Sequence, residues 1–211
     1  MNTQKIALFT TTSEMGTRLA EEALKRGHNV TAIVPDETEF KLKHQNLKVV
    51  KGDVRNKEDV SKNARGHDVV ISTHEASMKN PREHVEATRS LIEGAKEAGV
   101  QHLVSASHPF AQRMENTEEF YDSFKPVLQA QQEALKLLQK EKGLSWGYLH
   151  TVEPEAGQRA GEYRVSTEAY LSEPEGQSRI ALKNYTSHIL DEAEKNQLEA
   201  HEEYHREEGI E

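Results

Sequence analysis

Histidine, glutamate and serine side chains directly follow several of the short apolar runs in this sequence. His74 and Glu75 follow one run, Ser107 and His108 follow another, and His150 follows a third. Adjacent parallel strands lie about 4.8 Å apart, so side chains at their ends would converge on one pocket. Three imidazoles would suit a zinc ion with an open position for water. A Ser–His or His–Glu pair would instead suit nucleophilic or general-base catalysis, which makes His74, Ser107 and His108 candidate catalytic residues.

The number of histidines weakens the metal hypothesis. The chain has eleven of them, so some would follow strands by chance. Several others fall where we expect an exposed surface: His28, His44, His67, His84, His201 and His205. The sequence therefore leaves a metal site open and favours an acid–base role for His108 or His74.

The composition limits the partners of the protein. The chain has 211 residues, a formal net charge of −9 and no cysteine. The lack of cysteine excludes a disulfide scaffold or a thiolate zinc site and suits a reducing compartment. The acidic balance argues against nucleic acid, no window approaches the ~18 apolar residues of a membrane span, and no secretory signal is recognisable. We expect a cytoplasmic monomer or homodimer that acts on a small molecule, without a nucleic-acid or membrane partner.

Short apolar runs alternate with segments of helical period up to about residue 150. Six runs are predicted strands: Ile6–Phe9, Val30–Val34, Leu47–Val50, Val69–Ile71, Leu103–Val104 and Trp146–Leu149. Three helices are predicted between them: one through Met15 and Leu24, one opening with an Asn80 cap, and one beginning at Pro126. Strands that are apolar on both faces indicate a covered parallel sheet. The sequence thus predicts an α/β fold with a doubly wound, mostly parallel, Rossmann-like sheet.

The residue composition changes after residue 151. Residues 152–211 contain several Pro and Gly, a strand-like run at Tyr163–Val165 and, after Arg179–Leu182, a helical segment marked by Ile189. This region is too short and polar to hold its own core. We expect a nucleotide-binding core at 1–151 and a small C-terminal lobe at 152–211 that completes the same domain, with residues 196–211 either a last strand or a disordered tail.

Four segments carry a family resemblance. They read KIALFTTTSEMGTRLAEEALKRGHNVTAIV, VVKGDV, GHDVVIST and AGVQHLVSAS. Together they resemble the atypical NAD(P)-binding branch of the short-chain dehydrogenase/reductase family, which includes flavin and biliverdin reductases and epimerase-like proteins. The resemblance covers residues 5–200 and implies a Rossmann fold and NAD, or NADP, as cofactor.

The cofactor loop of that family, GATGxxG, is altered in this chain. Residues 10–16 read TTTSEMG, so only Thr12 and the last glycine are kept. Glycines let the backbone approach the pyrophosphate at the start of the helix, whereas Glu14 adds a carboxylate there. The resemblance implies cofactor contacts at Thr10, Thr12, Ser13, Met15 and Gly16, and the altered loop leaves open whether a dinucleotide still binds.

Other strand ends complete the implied cofactor site. Asp36 stands about 20 residues after the glycine loop, where an acidic residue accepts from a ribose 2′-hydroxyl, so it favours NAD over NADP; a simple turn is the alternative. Asp53 and Val54 match the family's adenine-side loop, and Thr73 opens the loop that follows the fourth predicted strand.

The resemblance also implies a reductive triad. Tyr121 and Lys125 have the YxxxK spacing, and Ser107 precedes them. In this scheme Tyr121 donates the proton, Lys125 lowers its pKa and Ser107 holds the carbonyl. Pro126 argues against it, because a helix that begins there would leave Tyr121 in the preceding loop.

Three functions remain open at this stage. The first is an NAD(P)-dependent oxidoreductase that reduces a small carbonyl, quinone or flavin-type acceptor, with His108 or Tyr121 as proton donor. The second is cofactor-free or metal-assisted hydrolytic chemistry in the same pocket, in a natural or engineered protein. The third is a non-catalytic dinucleotide sensor or scaffold.

Overall fold

Six parallel strands form one sheet in the computed structural model, which describes residues 3–10, 13–74, 76–106, 118–149 and 178–194. The strands are β1 (Lys5–Phe9), β2 (Asn29–Val34), β3 (Leu47–Lys51), β4 (Val69–Ser72), β5 (His102–Ala106) and β6 (Ser145–Leu149). Their order across the sheet is β3-β2-β1-β4-β5-β6. Each of the six predicted strands is therefore confirmed, and the order reverses between β1 and β4.

Helices cover both faces of this sheet. They are α1 (Glu14–Lys25), α2 (Lys57–Ala64), α3 (Arg82–Ala98), α4 (Glu118–Gln139) and α5 (Ser178–Glu194). One core layer joins the sheet to α1 and α5, and the other joins it to α2, α3 and α4. Burial on both faces explains why the central strands are largely apolar, whereas the edge strand β3, with the sequence LKVVK, is only partly buried. The doubly wound α/β fold predicted from the sequence is confirmed.

The caps show where local sequence sets the helix ends. Ser13 Oγ accepts the Gly16 N–H at the start of α1, and Asn56 Oδ1 accepts the Asp59 N–H at the start of α2. The expected Asn80 cap of α3 is wrong: its amide nitrogen donates to the Glu83 carboxylate at 3.1 Å, and the helix starts without a side-chain cap.

The predicted start of α4 is also wrong. The helix begins at Glu118 and carries Pro126 in its interior, instead of beginning at Pro126. An interior proline removes one helical hydrogen bond and costs about 3 kcal/mol. Burial of Val127, Leu128 and Ala130 beside it offsets that cost. Tyr121 and Lys125 consequently lie in one continuous helix, four positions apart, and the objection raised by Pro126 does not hold.

Two histidines expected at the surface are buried. His28 and His84 each expose 1% of their surface. His28 Nδ1 accepts the Gln4 N–H at 3.1 Å, so its Nε2–H is the donor toward the Glu194 carboxylate at 2.9 Å. Their partners lie far away in the sequence, which explains why a surface position was the wrong expectation.

Helix α5 is part of the main core rather than a separate unit. Ile189, Leu190 and Ala193 pack in the layer shared with α1. At the end of α1, Arg26 donates to Asp191 at 2.6 Å, to Glu194 at 3.0 Å and to the Ser187 carbonyl at 3.2 Å. These bonds fix α5 to the body of the protein; the division of the chain at residue 151 stays a prediction.

Candidate functional site

A cleft of about 380 Å³ opens at the carboxyl ends of the strands, beside the point where the strand order reverses. Ligands of open parallel sheets bind at this place. The cleft is lined by residues at or just after the ends of β1 to β4 and by two helical residues: Phe9, Thr10, Pro35, Lys51, Gly52, Asp53, Val54, Arg55, Asp59, His74 and Glu83. The sheet thus brings four of the predicted site residues, Thr10, Asp53, Val54 and His74, to one cavity.

A pair of hydroxyls joins the two strands at the reversal point. Thr10 Oγ1 lies 2.7 Å from Thr73 Oγ1, and both residues are buried. Their backbones continue the strands, since Thr10 N–H donates to the Ile33 carbonyl and Thr73 N–H to the Phe9 carbonyl. Thr10 therefore occupies the first glycine position of the family loop with its hydroxyl turned to β4.

The amino end of α1 faces the same edge of the sheet. Ser13 Oγ is used by the Gly16 N–H, so the cap leaves the N–H groups of Glu14 and Met15, which lack an intrahelical partner. Met15 as a whole residue is only 1% exposed and its side chain packs in the core, so the side chain is not available to a ligand. The Glu14 carboxylate is 65% exposed and pairs with Arg18 at 2.8 Å. The pairing with Arg18 partly neutralises the negative charge that Glu14 would otherwise place beside a pyrophosphate.

Asp36 caps a short 3-10 turn, Glu37–Glu39, directly after Pro35 of the cleft wall. Its Oδ1 accepts both the Thr38 N–H, at 2.9 Å, and the Thr38 hydroxyl, at 2.7 Å. These two bonds keep the pKa of the Asp36 carboxyl below its usual value. Asp36 is therefore a carboxylate at neutral pH and holds its turn through a single oxygen.

An ion network that sequence reasoning missed lies along the adenine-side loop. Arg55 donates from Nε to Asp53 Oδ1 at 3.0 Å, from Nη2 to Asp53 Oδ2 at 2.9 Å, and from Nη1 to Glu83 at 3.1 Å. The hydrogen bond from Arg55 lowers the pKa of Asp53, and the same contact raises that of Arg55. Asp53 N–H donates to Asp59 Oδ2 at 3.0 Å. The charge of Arg55, two positions after Asp53, was the only local signal of this network.

His74 forms the wall of the cleft at the end of β4. Its ring lies nearly parallel to that of His84, at an interplanar angle of 14° and a centroid distance of 6.2 Å. Burial, followed by the charge of Arg55, lowers the pKa of His74, against the opposing influence of Glu83 and Asp53. Its Nε2 is buried and has no hydrogen-bond partner among the residues that the structure describes. The candidate base is thus a neutral imidazole at physiological pH.

Several predicted site residues lie outside the described residues. They are Thr12, Ser107 and His108, together with Glu75 and His150. Tyr121 lies on α4 by its backbone, and the side chain of Lys125 is exposed. The convergence of His74, His108 and His150 is therefore untested. Within the described ranges no group of three or more His, Asp or Glu is placed to hold a metal ion.

One metal-binding pattern escaped the sequence analysis. His201, Glu202 and His205 have the HExxH spacing, which in zinc-binding proteins belongs to two imidazole ligands and a glutamate base. The pattern falls outside the described residues, so no geometry connects it to the cleft.

The strand order and a cleft at its reversal point define a dinucleotide-binding α/β protein. A family model described as NAD(P)H-binding matches residues 11–193. The chain therefore belongs to the NAD(P)H-binding family, which confirms the family resemblance and NAD(P) as the cofactor inferred from the sequence.

Individual relatives agree with this assignment. The chain is 31% identical over 201 residues to the uncharacterized protein YwnB of Bacillus subtilis, covering 90% of this chain and 92% of the relative. Among solved structures, a proposed epimerase from Bacteroides thetaiotaomicron is similar with a TM-score of 0.68 and 28% identity, covering 92% of both chains. A proposed NADH-flavin reductase from Streptococcus pneumoniae has a TM-score of 0.61 and 26% identity, covering 91% of this chain and 93% of its own. The fold is thus oxidoreductase-like.

In the part of the chain that the structure describes, none of the helices has the length and apolar character needed to cross a bilayer.

Proposed function

We propose that this protein is an NADH-dependent reductase of a small carbonyl, quinone or flavin-type acceptor. One observation carries the proposal: the cleft opens at the carboxyl edge of the parallel sheet, beside the strand reversal, and α1 begins at this same edge directly after β1. A helix amino end stabilises negative charge through its N–H groups and the helix dipole. The family membership and the relative named as an NADH-flavin reductase support the same reading.

The residues present fit the two halves of a dinucleotide. The N–H of Glu14, at the exposed start of α1, suits the diphosphate, and the cleft beyond β2 and β3 suits the adenosine half. The loop at Gly52 is closely packed, since a Cβ there would lie 2.5 Å from Ile33 Cγ2. Thr12 and Ser13 complete the proposed diphosphate loop, while Thr10 and Thr73 form its floor.

The charge of the cleft favours NAD over NADP. The ionised Asp36 uses only Oδ1 for its turn, which leaves Oδ2 for a ribose hydroxyl. Among the lining residues, the carboxylates Asp53, Asp59 and Glu83 outnumber the cations Lys51 and Arg55. A 2′-phosphate would add two negative charges to this surface, and like charges repel.

The reaction chemistry is assigned to α4 and the end of β5. When bound, the reduced nicotinamide supplies a hydride to the acceptor. Tyr121 and Lys125 lie four residues apart on one helix, a spacing that puts both on one face. We assign proton donation to Tyr121, with Lys125 lowering the pKa of its phenol and Ser107 orienting the acceptor. His108 and His74 are the alternative proton donors at the strand ends.

Replacement of Asp36 by asparagine tests the cofactor preference. An amide still caps the turn but loses the charge, so NADH affinity should fall about tenfold and the preference for NADH over NADPH should narrow. Fluorescence titration with both cofactors measures this. Glu21→Gln, which removes the same charge from the exposed side of α1, should bind as the unmodified protein does. Failure of the unmodified protein to bind NADH at millimolar concentration would contradict the proposed function.

Replacement of Tyr121 by phenylalanine tests the proton donor. The loss of a general acid should lower kcat by at least about a hundredfold while NADH affinity stays unchanged. Stopped-flow oxidation of NADH against a panel of carbonyl, quinone and flavin acceptors measures the rate. An unchanged kcat would remove Tyr121 from the mechanism and direct attention to His108.

A further inference from the structure

Two hydroxyl side chains replace glycines in the loop after β1. Thr10 stands at the first glycine of the GATGxxG pattern and Ser13 at the second. Both hydroxyls bond within the protein: Thr10 Oγ1 lies 2.7 Å from Thr73 Oγ1, and Ser13 Oγ accepts the Gly16 N–H at 3.3 Å. The loop therefore supports itself at two positions where glycines serve a bound pyrophosphate.

The backbone of Ser13 has a conformation that any residue adopts. Its φ of −66° and ψ of 159° are extended, as is usual for an N-cap residue. A glycine is thus not needed to form this turn, and serine differs from glycine here only by its Cβ and hydroxyl. A glycine in this loop lets the backbone approach the pyrophosphate closely. The side chain of Ser13 occupies that space instead.

Ser13 stands at the edge of the sheet where the cofactor cleft opens. Thr10, three residues earlier, lines the cleft, and α1 begins at Glu14, directly after Ser13. The hydroxyl oxygen of Ser13 takes one of the N–H groups at the start of the helix, and this is the end that stabilises an anion. The Ser13 side chain and a cofactor diphosphate therefore compete for the amino end of α1.

We propose that the side chain of Ser13 keeps the affinity for the dinucleotide low and, in exchange, stabilises the loop when no cofactor is bound. A diphosphate must displace the Ser13 hydroxyl or remain further from the helix. NADH is then a co-substrate that exchanges readily rather than a tightly held group. This inference rests on the proposed function, because it names the residue that limits binding in the same cofactor site.

Replacement of Ser13 by glycine tests the inference with two ligands. ADP-ribose contains the diphosphate of the cofactor, whereas adenosine does not. We expect Ser13→Gly to bind ADP-ribose and NADH about tenfold more tightly, which corresponds to about 1.4 kcal/mol, and adenosine as the unmodified protein does. Isothermal titration calorimetry measures the three affinities. The urea midpoint should decrease only slightly, because glycine is itself an accepted N-cap residue.

Ser77→Gly is the matched control. Ser77 is half-buried, as Ser13 is, and its Oγ accepts the backbone N–H of Lys79 at 3.1 Å, but it belongs to the loop after β4 and does not line the cleft. We expect its affinities for ADP-ribose, NADH and adenosine to equal those of the unmodified protein. A gain in Ser77→Gly as large as in Ser13→Gly would overturn the specific role of Ser13.

The opposite change at the same position makes the test independent of glycine. Aspartate is as good an N-cap residue as serine, so Ser13→Asp keeps α1 capped. It also adds a negative charge beside the diphosphate, and like charges repel. We expect ADP-ribose to bind at least about tenfold more weakly, with adenosine unaffected. Where Ser13→Gly does not fold, Ser13→Asp decides.

The outcomes separate this inference from the proposed function. Unchanged or weaker ADP-ribose binding in Ser13→Gly, or unchanged binding in Ser13→Asp, would overturn the role of Ser13 and leave the reductase proposal in place. NADH binding that is found in Ser13→Gly alone would support the role of Ser13 and contradict the proposed function. Absence of NADH binding to both proteins would overturn both.

Discussion

Replacing Arg26 by alanine is expected to lower the free energy of unfolding by about 3 kcal/mol. The guanidinium is 15% exposed and bonds to Glu22, Asp191, Glu194 and the Ser187 carbonyl. Its loss removes the cation at the contact between α1 and α5, while Glu194 keeps its bond from His28 and Glu22 keeps its ion pair with Lys25. Urea unfolding monitored by circular dichroism measures the change.

A matched control separates this network from ordinary surface charge. Arg18→Ala removes an arginine from the same helix, but among the described residues Arg18 pairs only with the exposed Glu14, so about 0.5 kcal/mol is expected. A loss in Arg26→Ala no larger than in Arg18→Ala would refute the anchoring role. Arg26→Lys should recover part of the loss, since one ammonium cannot replace the planar fork.

The loss of stability expected for Arg26→Ala depends on pH through the carboxyl group of Glu194. Burial opposes ionisation there, but hydrogen bonds from His28 and Arg26 hold the pKa of its carboxyl below the usual value. A lowered carboxyl pKa contributes stability that is present above its unfolded pKa of about 4.3 and lost as the pH falls through the folded value. The difference between the unmodified protein and Arg26→Ala should therefore shrink below about pH 4.

Replacing Gly94 by alanine should cost about 2 kcal/mol of unfolding free energy. A Cβ at this position of α3 would lie 2.6 Å from Val60 Cβ and Cγ1 and 3.0 Å from the Lys57 carbonyl oxygen. Val60 is fully buried and the carbonyl belongs to α2, so neither can yield easily. Overpacking costs up to about 3 kcal/mol, and the better helix propensity of alanine returns about 1 kcal/mol.

Thermal and urea unfolding of Gly94→Ala measure this cost. Gly143→Ala adds the same methyl group where the nearest atom, Glu141 Oε1, is 3.4 Å away, an ordinary contact. We expect it to be close to neutral. A Gly94→Ala protein as stable as the unmodified one would show that α2 and α3 are not packed at the distance described.

The strands were predictable because burial on both faces of the sheet requires apolar residues at consecutive positions, and the sequence shows these as short apolar runs. Helix α2 was not predicted, since Val60 and Ala64 are too few apolar residues to show a period among charged neighbours. Its Asn56 cap was the available signal. The start of α4 was misplaced because a local rule about Pro126 was outweighed by the burial of its neighbours.

The candidate site likewise contains residues that the sequence could predict and residues that it could not. Asp36, Asp53 and Thr73 could be proposed from the sequence because each lies within two residues of a strand end, at a position that the family resemblance names. Arg55 and Glu83 could not, because their ion pair joins segments 28 residues apart. The burial of His28 and His84 was equally invisible, since their partners lie 166 and 64 residues away. Local rules locate the loops, whereas the contacts between loops require the tertiary structure.

In the hydroxyl pair at the base of the cleft, the direction of the hydrogen bond is not fixed by the positions of the heavy atoms. Between Thr10 Oγ1 and Thr73 Oγ1 either oxygen can act as the donor. Rotation of two light hydrogens therefore reverses the polarity of this bond while every heavy atom stays in place.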